Sequence, residues 1–453
     1  MKKEIIGIVA IVVVIIAVAG LYIGTPQPRE QMTVTVTTTA YTTTPTTPTA
    51  TKTVTTPKIE KIKIGIAVPL TGQFANYGKE VLDVETIAVK HVNENGGIQS
   101  LGGAKLELIV EDTESTVEGA KLAAQRMLDI HKVPVVTGVF ISSHVIAMQP
   151  ILEGKVIFFP NAMADEITMR GFEYTYRMVP TAKTGGMITA QMVADLQKKY
   201  DPDNPIKTVV VLNEDSAFGS WGGIGLIEGA KLQGWKVLFH EEYSRDIKDV
   251  VPIMSRIHSA KPDVVLIVPY FTDSVLFARA IKDMGPGARF WAAANETGFT
   301  DARSLAELGE LANWFTNTYS YDVSKDTYWN KKFVSEFEAT YGYTPSGVGA
   351  KRYWCTWFLK EALEVAGREY PEDPLNPQNL KKIFDTLQIS DPNHPAVQVY
   401  PGPHPILGFD SKGDLLYPAM VGWQVIEGKT YVVWPFESAQ RDAVYPRPDY
   451  TPQ

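Results

Sequence analysis

The chain has 453 residues, enough for two domains of ordinary size. It is 45% hydrophobic and 21% charged, with a formal net charge of −8 and no long basic run. A large core is therefore available, and nucleic acid is excluded as the main partner, because phosphate binding needs clustered Lys and Arg. A single cysteine, Cys355, excludes an intrachain disulfide and a cysteine-built zinc site. The histidines are scattered without HxxxH or HExxH spacing, so no metal and no cofactor are expected.

The first element is Lys2-Lys3-Glu4 followed by IIGIVAIVVVIIAVAGLYIG, residues 5–24. An apolar stretch of about twenty residues spans a bilayer as a helix, and the two lysines would hold its start in the cytoplasm. We read 1–24 as an uncleaved anchor. A cleaved signal peptide is the rival, since Ala17 and Ala19 supply small residues near the end. Residues 25–57 are mostly Thr with Pro, lack apolar periodicity and read as an extended stalk. Anchor and stalk together place a globular body on the extracellular face of the membrane.

That body opens with the strand-like KIKIGIAV from Lys61, the loop LTGQFANYG, and a helix ended by Gly96-Gly97. Next come KLELIVEDTES (strand), VEGAKLAAQRMLDIHK (helix), VPVVTG (strand), GVFISSH leading into a helix, and VIFFP (strand). A break near Val179-Pro180-Thr181 fits a crossover. Beyond it lie a helix from about Gly185 to Lys199, strands at 208–215, 236–243, 263–270 and 289–295, and helices near 222–234 and 274–285. Residues 326–369 look helical, and two final strand-like runs flank the hairpin signal Glu427-Gly428-Lys429. Apolar strands alternating with amphipathic helices indicate parallel sheets covered on both faces, and the alternation is long enough for two α/β lobes.

GGIGLIEG (222–229) looks like a dinucleotide fingerprint, but Glu228 stands where the third glycine belongs and NEDSAFGSW separates it from its strand. Helix packing is the simpler reading. Cys355 in RYWCTWF reads as core. In GVFISSH, Ser142, Ser143 and His144 stand where a helix begins, as an N-cap or as an anion cradle using free N–H groups and the helix dipole. Aromatic and small polar residues recur at strand ends: Gln73, Tyr77, Phe140, Ser142, Asn161, Phe218, Tyr270 and Glu296. Ligands of open α/β sheets bind beyond the carboxyl ends of the strands, so these loops from two lobes would face each other across a cleft.

KIGIAVPLTGQFANYGKEVLDVETIAVKHVNENGGI resembles the start of the branched-chain amino-acid-type (leucine-binding-protein-like) solute-binding proteins of ABC transporters. The likeness continues through KLELIVEDTES, VVTGVFISSH, FFPNAMADEI, RGFEYTYRMVP, NEDSAFGSWG, KPDVVLIVPY, FDSKGD and WQVIEGKTYVVWP, over residues 60–437. The anchor and stalk look like an archaeal cell-surface variant. The resemblance implies a type I periplasmic-binding fold: two Rossmann-like lobes with parallel sheets joined by a multi-strand hinge. Lobe 1 would take 59–180 and about 319–405, lobe 2 would take 181–318 and about 406–440, and 441–453 would form a tail.

By the same resemblance Tyr77 would pack on the ligand, Ser142 would bind its carboxylate with backbone help from the Ser143 turn, and Asn161 would present a carbonyl. Tyr270 would reach in from the second lobe, and Glu296 would hold an ammonium. Met163 stands where amino-acid binders have Thr, and Phe218 where they have Tyr, so an amide or a carboxylate with an apolar body would suit Phe140, Met163, Phe218 and Trp221 better. The implied function is capture of a small amino acid, amide or aromatic acid and delivery to an ABC permease, without catalysis. Two rivals are a ligand-sensing module and a surface hydrolase using Asp215 and Glu296.

Overall fold

Two sheets, each built mainly from short apolar strands, organise the chain. The computed structural model describes residues 59–402 and 405–451. The expected anchor and stalk lie outside these residues. Among the described residues no helix is long and apolar enough to cross a membrane. The first sheet holds β1 (Lys61–Val68), β2 (Lys105–Asp112), β3 (Val135–Thr137) and β4 (Ile157–Phe159). They pair in parallel in the order β2-β1-β3-β4. Between and after them run α1 (Ala75–Glu94), α2 (Val117–Arg126), α3 (Ser142–Leu152) and α4 (Glu166–Met169).

The chain then enters α5 (Ala182–Tyr200), whose N-cap Thr181 accepts the Thr184 N–H at 3.1 Å. The second lobe alternates β5 (Thr208–Glu214), α6 (Ala217–Leu232), β6 (Lys236–Tyr243), α7 (Val251–Ala260), β7 (Val264–Val268), α8 (Phe271–Met284), β8 (Phe290–Ala293), α9 (Ala302–Leu308) and β9 (Thr316–Tyr319). A return segment covers the first sheet with α10 (Tyr328–Tyr341), α11 (Gly347–Glu369), α12 (Pro377–Thr386) and α13 (Pro395–Val399). The chain ends its fold in β10 (Val421–Ile426) and β11 (Lys429–Trp434). The second sheet has the order β11-β10-β9-β8-β7-β5-β6. It is parallel from β9 to β6, while β10 runs antiparallel to both β9 and β11. The hairpin turns on Glu427 and Gly428, both at positive φ (53° and 74°), which suits the right-handed strand twist.

Two expected helix starts are corrected, and the FDSKGD segment bonds to the segment that follows α4. Arg177 of RGFEYTYRMVP is fully buried and needs acceptors. It donates to the Asp414 carboxylate, to the Ala164 carbonyl at 2.6 Å and to the Thr168 hydroxyl at 2.8 Å. Isolated bridges Arg177–Asp414 and Ile389–Leu407 fix the same segment. The helix expected from residue 222 begins at Ala217, since Ser216 caps it and takes most of NEDSAFGSW into the helix. The helix expected from Gly185 starts three residues earlier, at the Thr181 cap. GGIGLIEG therefore lies inside α6, where its glycines let α6 press on α5. A Cβ on Gly225 would sit 2.1 Å from the Lys183 carbonyl oxygen, and one on Gly229 would sit 2.7 Å from the Ala190 Cβ.

Helix α11 runs through the centre of the first lobe, with Trp354 and Cys355 fully buried; burial pushes the Cys355 thiol up to about 12. Helix α1 packs beside it and begins hard against the end of β1. At Gly78 a Cβ would stand 1.8 Å from the Pro69 carbonyl oxygen. Gly78→Ala must push α1 off the sheet, and its unfolding free energy in urea should fall by about 2–3 kcal/mol, the cost of overpacking a tight interface.

Candidate ligand cleft

The carboxyl ends of both sheets meet in one aromatic cluster. From the first lobe come Phe74 and Tyr77, 5% and 3% exposed, with the half-buried Phe140 and the buried Met163. From the second come Phe218, in the first turn of α6, and Tyr270, the residue before α8. Ring centroids lie 5.2 Å apart for Phe74–Tyr270 and for Phe218–Tyr270, and 6.1 Å apart for Tyr77–Phe140. The first of these pairs joins the lobes, so the cleft is closed on itself.

A second contact between lobes is polar. The Tyr77 hydroxyl donates to Asp301 Oδ2 at 3.3 Å, and the Arg303 guanidinium carbon lies 3.4 Å from the Tyr77 ring centroid. Asp301 Oδ1 caps α9 by accepting the Arg303 and Ser304 N–H groups. Arg303 Nη2 stands 3.6 Å from Asp301 Oδ2 and 4.0 Å from Glu80 Oε2. Burial raises the pKa of Glu80, against the pull of Arg303 and of Ser346, whose N–H and hydroxyl both donate to Glu80 Oε1. Burial likewise raises Tyr77 well above its ordinary value, with Asp301 adding to the shift. Alongside lies a cavity of about 430 Å³ lined by Thr300, Ala302, Tyr343, Ser346, Trp423 and Thr430.

The start of α3 answers the question raised by GVFISSH. The N-cap position is Ile141, no side chain caps the helix, and the first-turn bonds run from the His144 and Val145 N–H groups to the Ile141 carbonyl. The Ser142 and Ser143 N–H groups are therefore left uncapped at the positive end of the helix dipole. The buried Ser142 hydroxyl accepts the Ala164 N–H at 3.2 Å, which ties α3 to the segment after β4. Ser143 is half-buried. His144 is 2% exposed and its Nδ1 has no hydrogen-bond partner among the described residues. Burial lowers its pKa to about 4; a backbone hydrogen bond with Ser115 opposes the shift and Arg245 adds to it.

Of the residues singled out from the sequence, the fold brings Tyr77, Phe140, Met163, Phe218 and Tyr270 into one cluster, with Ser142 and Ser143 at the adjoining helix end. Asn161 was expected to present its carbonyl; its side chain turns into the first lobe, where its Oδ1 accepts from Arg352 at 2.7 Å, while Arg352 Nε donates to the buried Glu85 at 2.6 Å. Glu296 is fully buried, with one carboxylate oxygen bonded to Ser320 and the other to the Lys351 ammonium. Asp215 accepts the Arg245 N–H at 2.9 Å. The two acids of the hydrolase reading are thus both engaged within the fold. Asn295, the first residue of the Asn-X-Thr glycosylation pattern Asn295-Glu296-Thr297, is 1% exposed and donates to the Ala182 carbonyl, so it offers no accessible glycosylation acceptor. Phe74, Glu80, Arg245, Asp301 and Arg303 were missed. Phe74 had a signal, three residues before Tyr77 in the same loop; the others meet the cluster only through the fold.

The sequence profile described as periplasmic binding protein matches residues 61–403. Two α/β lobes that meet at the carboxyl ends of their strands are the architecture of a two-lobed binding protein, and this chain belongs to the periplasmic binding protein family. It is 27% identical over 403 residues to the Leu/Ile/Val-binding protein homolog 7 of Brucella melitensis, covering 84% of this chain and 94% of that one. Its fold is that of the leucine binding protein LivK from Thermotoga maritima, with TM-score 0.66, 22% identity, and coverage of 82% and 97%. It is also that of a solute binding protein of an ABC transporter from Rhodopseudomonas palustris, solved in complex with 3,4-dihydroxy benzoic acid, with TM-score 0.68, 21% identity, and coverage of 85% and 99%.

His144 links the cleft to pH. Its folded pKa is depressed below that of the unfolded chain, so its contribution to stability is present above about pH 6.5 and is lost as pH falls toward 4. Between these values wild-type protein should lose about 3 kcal/mol more than His144→Gln, read by urea unfolding at each pH.

Proposed function

We propose that this protein is the extracellular solute-binding component of an ABC importer. In this reading residues 5–24 hold it in the membrane, residues 25–57 space it away, and the lobes capture a small amino acid, amide or carboxylate for delivery to a permease. The observation that carries the proposal is the aromatic cluster drawn from both lobes at the ends of their sheets, where Phe74 and Tyr77 face Tyr270 and Asp301. A ligand that contacts both faces has its full set of contacts only when the lobes are together, so it favours the closed form by that difference.

Ser142 and the uncapped start of α3 are the proposed seat of a ligand carboxylate. The aromatic residues and Met163 take the apolar body. The first lobe is proposed to comprise 59–180 with 320–416, and the second 181–319 with 417–440; three crossings serve as the hinge. Closure presents a defined surface from both lobes to the permease, and no bond is made or broken.

A thermal-shift screen of the full-length protein against amino acids, amides, urea and aromatic acids tests this. A ligand at a thousand times its Kd should stabilise the protein by about 4 kcal/mol. Ser142→Ala should weaken that ligand by roughly 10-fold, the loss of one hydrogen bond to a charged group. Stabilisation by no class of small solute would sink the receptor reading.

A further inference from the structure

We infer that the cleft selects a carboxylate lacking an α-ammonium group, and that Arg303 imposes this choice. The inference rests on the receptor reading above and narrows its ligand class. A free α-amino acid needs an unspent carboxylate or an open aromatic face for its ammonium. Among the described residues, the buried acids bordering the aromatic cluster already accept hydrogen bonds from within the fold. Glu214 takes the Ser216 N–H and hydroxyl, and Asp273 takes the Tyr270 N–H and the Tyr243 hydroxyl. Glu296 is held by Lys351 and Ser320, and Glu80 by Ser346. Asp301 caps α9 and receives Tyr77.

The open aromatic face is also taken. Arg303 covers the Tyr77 ring at 3.4 Å and stands between Asp301 and Glu80, where a ligand cation would otherwise sit. The chain supplies its own cation to this place, and an incoming ammonium would meet a guanidinium. Like charges set side by side in a desolvated site are strongly disfavoured.

Donors are left over as well. Among the described residues none of the three buried Arg303 guanidinium nitrogens makes a hydrogen bond of ordinary length; its charge is paired with Asp301 and Glu80, at 3.6 and 4.0 Å. Arg245, whose guanidinium lies 5.8 Å from the Phe74 ring centroid, also has a buried, unpartnered Nε. Buried donors call for acceptors, because leaving them unmet is costly. The cleft thus offers guanidinium N–H groups from one lobe and the uncapped α3 amides from the other. A ligand that brings carboxylate oxygens and an apolar or aromatic body meets both; one that adds an ammonium does not. Aryl, arylalkyl and 2-oxo acids have this chemistry.

Isothermal titration of the full-length protein with matched pairs tests the inference: L-leucine against 4-methyl-2-oxopentanoate, L-phenylalanine against 3-phenylpropanoate, with benzoate alongside. In at least one pair the acid should bind about 100-fold more tightly than the amino acid. Arg303→Gln and Arg303→Ala should cut that preference to less than about 10-fold, with melting temperature and far-ultraviolet circular dichroism checking the fold of each. Tighter binding of an amino acid than of its partner acid overturns the inference and leaves the receptor reading standing. A preference unchanged in both variants overturns the role of Arg303. Silence from every acid overturns the ligand class, and the wider screen described above then decides whether the receptor reading falls with it.

Discussion

The contact on which the cleft depends is the one made by Tyr77. Its ring lies between Phe140 of its own lobe and the Arg303 guanidinium of the other, and its hydroxyl reaches Asp301. That position follows from the backbone. Helix α1 can come so close to the end of β1 only because residue 78 has no side chain to meet the Pro69 carbonyl. The same approach places Phe74 against Tyr270, so one tight helix–strand junction sets both of the aromatic residues that the first lobe offers to the second.

Buried charge divides into two kinds. Arg177 with Asp414, Arg352 with Glu85 and Asn161, and Lys351 with Glu296 are sets in which the partners are bonded to one another. They hold together segments far apart in the chain: the turn after β4 with the segment before β10, α1 with α11, and the loop after β8 with α11. Removing one partner from such a set strands the other in a medium of low polarity, so these pairs specify how the chain returns between lobes. Arg303 and Arg245 differ in place, since they border the aromatic cluster, and among the described residues Arg303 makes no hydrogen bond through any of its guanidinium nitrogens.

Much of this was legible beforehand. The alternation of apolar strands and amphipathic helices gave the two lobes, and Tyr77, Phe140, Phe218 and Tyr270 stood at strand ends where the fold gathers them. Boundaries set by caps were less legible: Thr181 and Ser216 start their helices earlier than the apolar periodicity alone indicated. GVFISSH was ambiguous because Ser is as suited to a cap as to an anion site. Only the backbone showed that the cap position belongs to Ile141 and that both serines lie within the first turn.

By itself, the sequence determined the class of fold, the helix-packing role of the α6 glycines and the aromatic character of the cluster. These follow from periodicity, breakers and residue type, which are local properties. Tertiary structure alone decided which charges are spent. Whether Glu296 is free depends on Lys351, 55 residues away, and whether Tyr77 is open depends on Arg303, more than two hundred residues away. Nothing in either neighbourhood announces its partner. The ionic state of a buried site is a property of what the fold brings within a few ångströms, and Coulombic and hydrogen-bonding partners are chosen by that proximity and not by order in the chain.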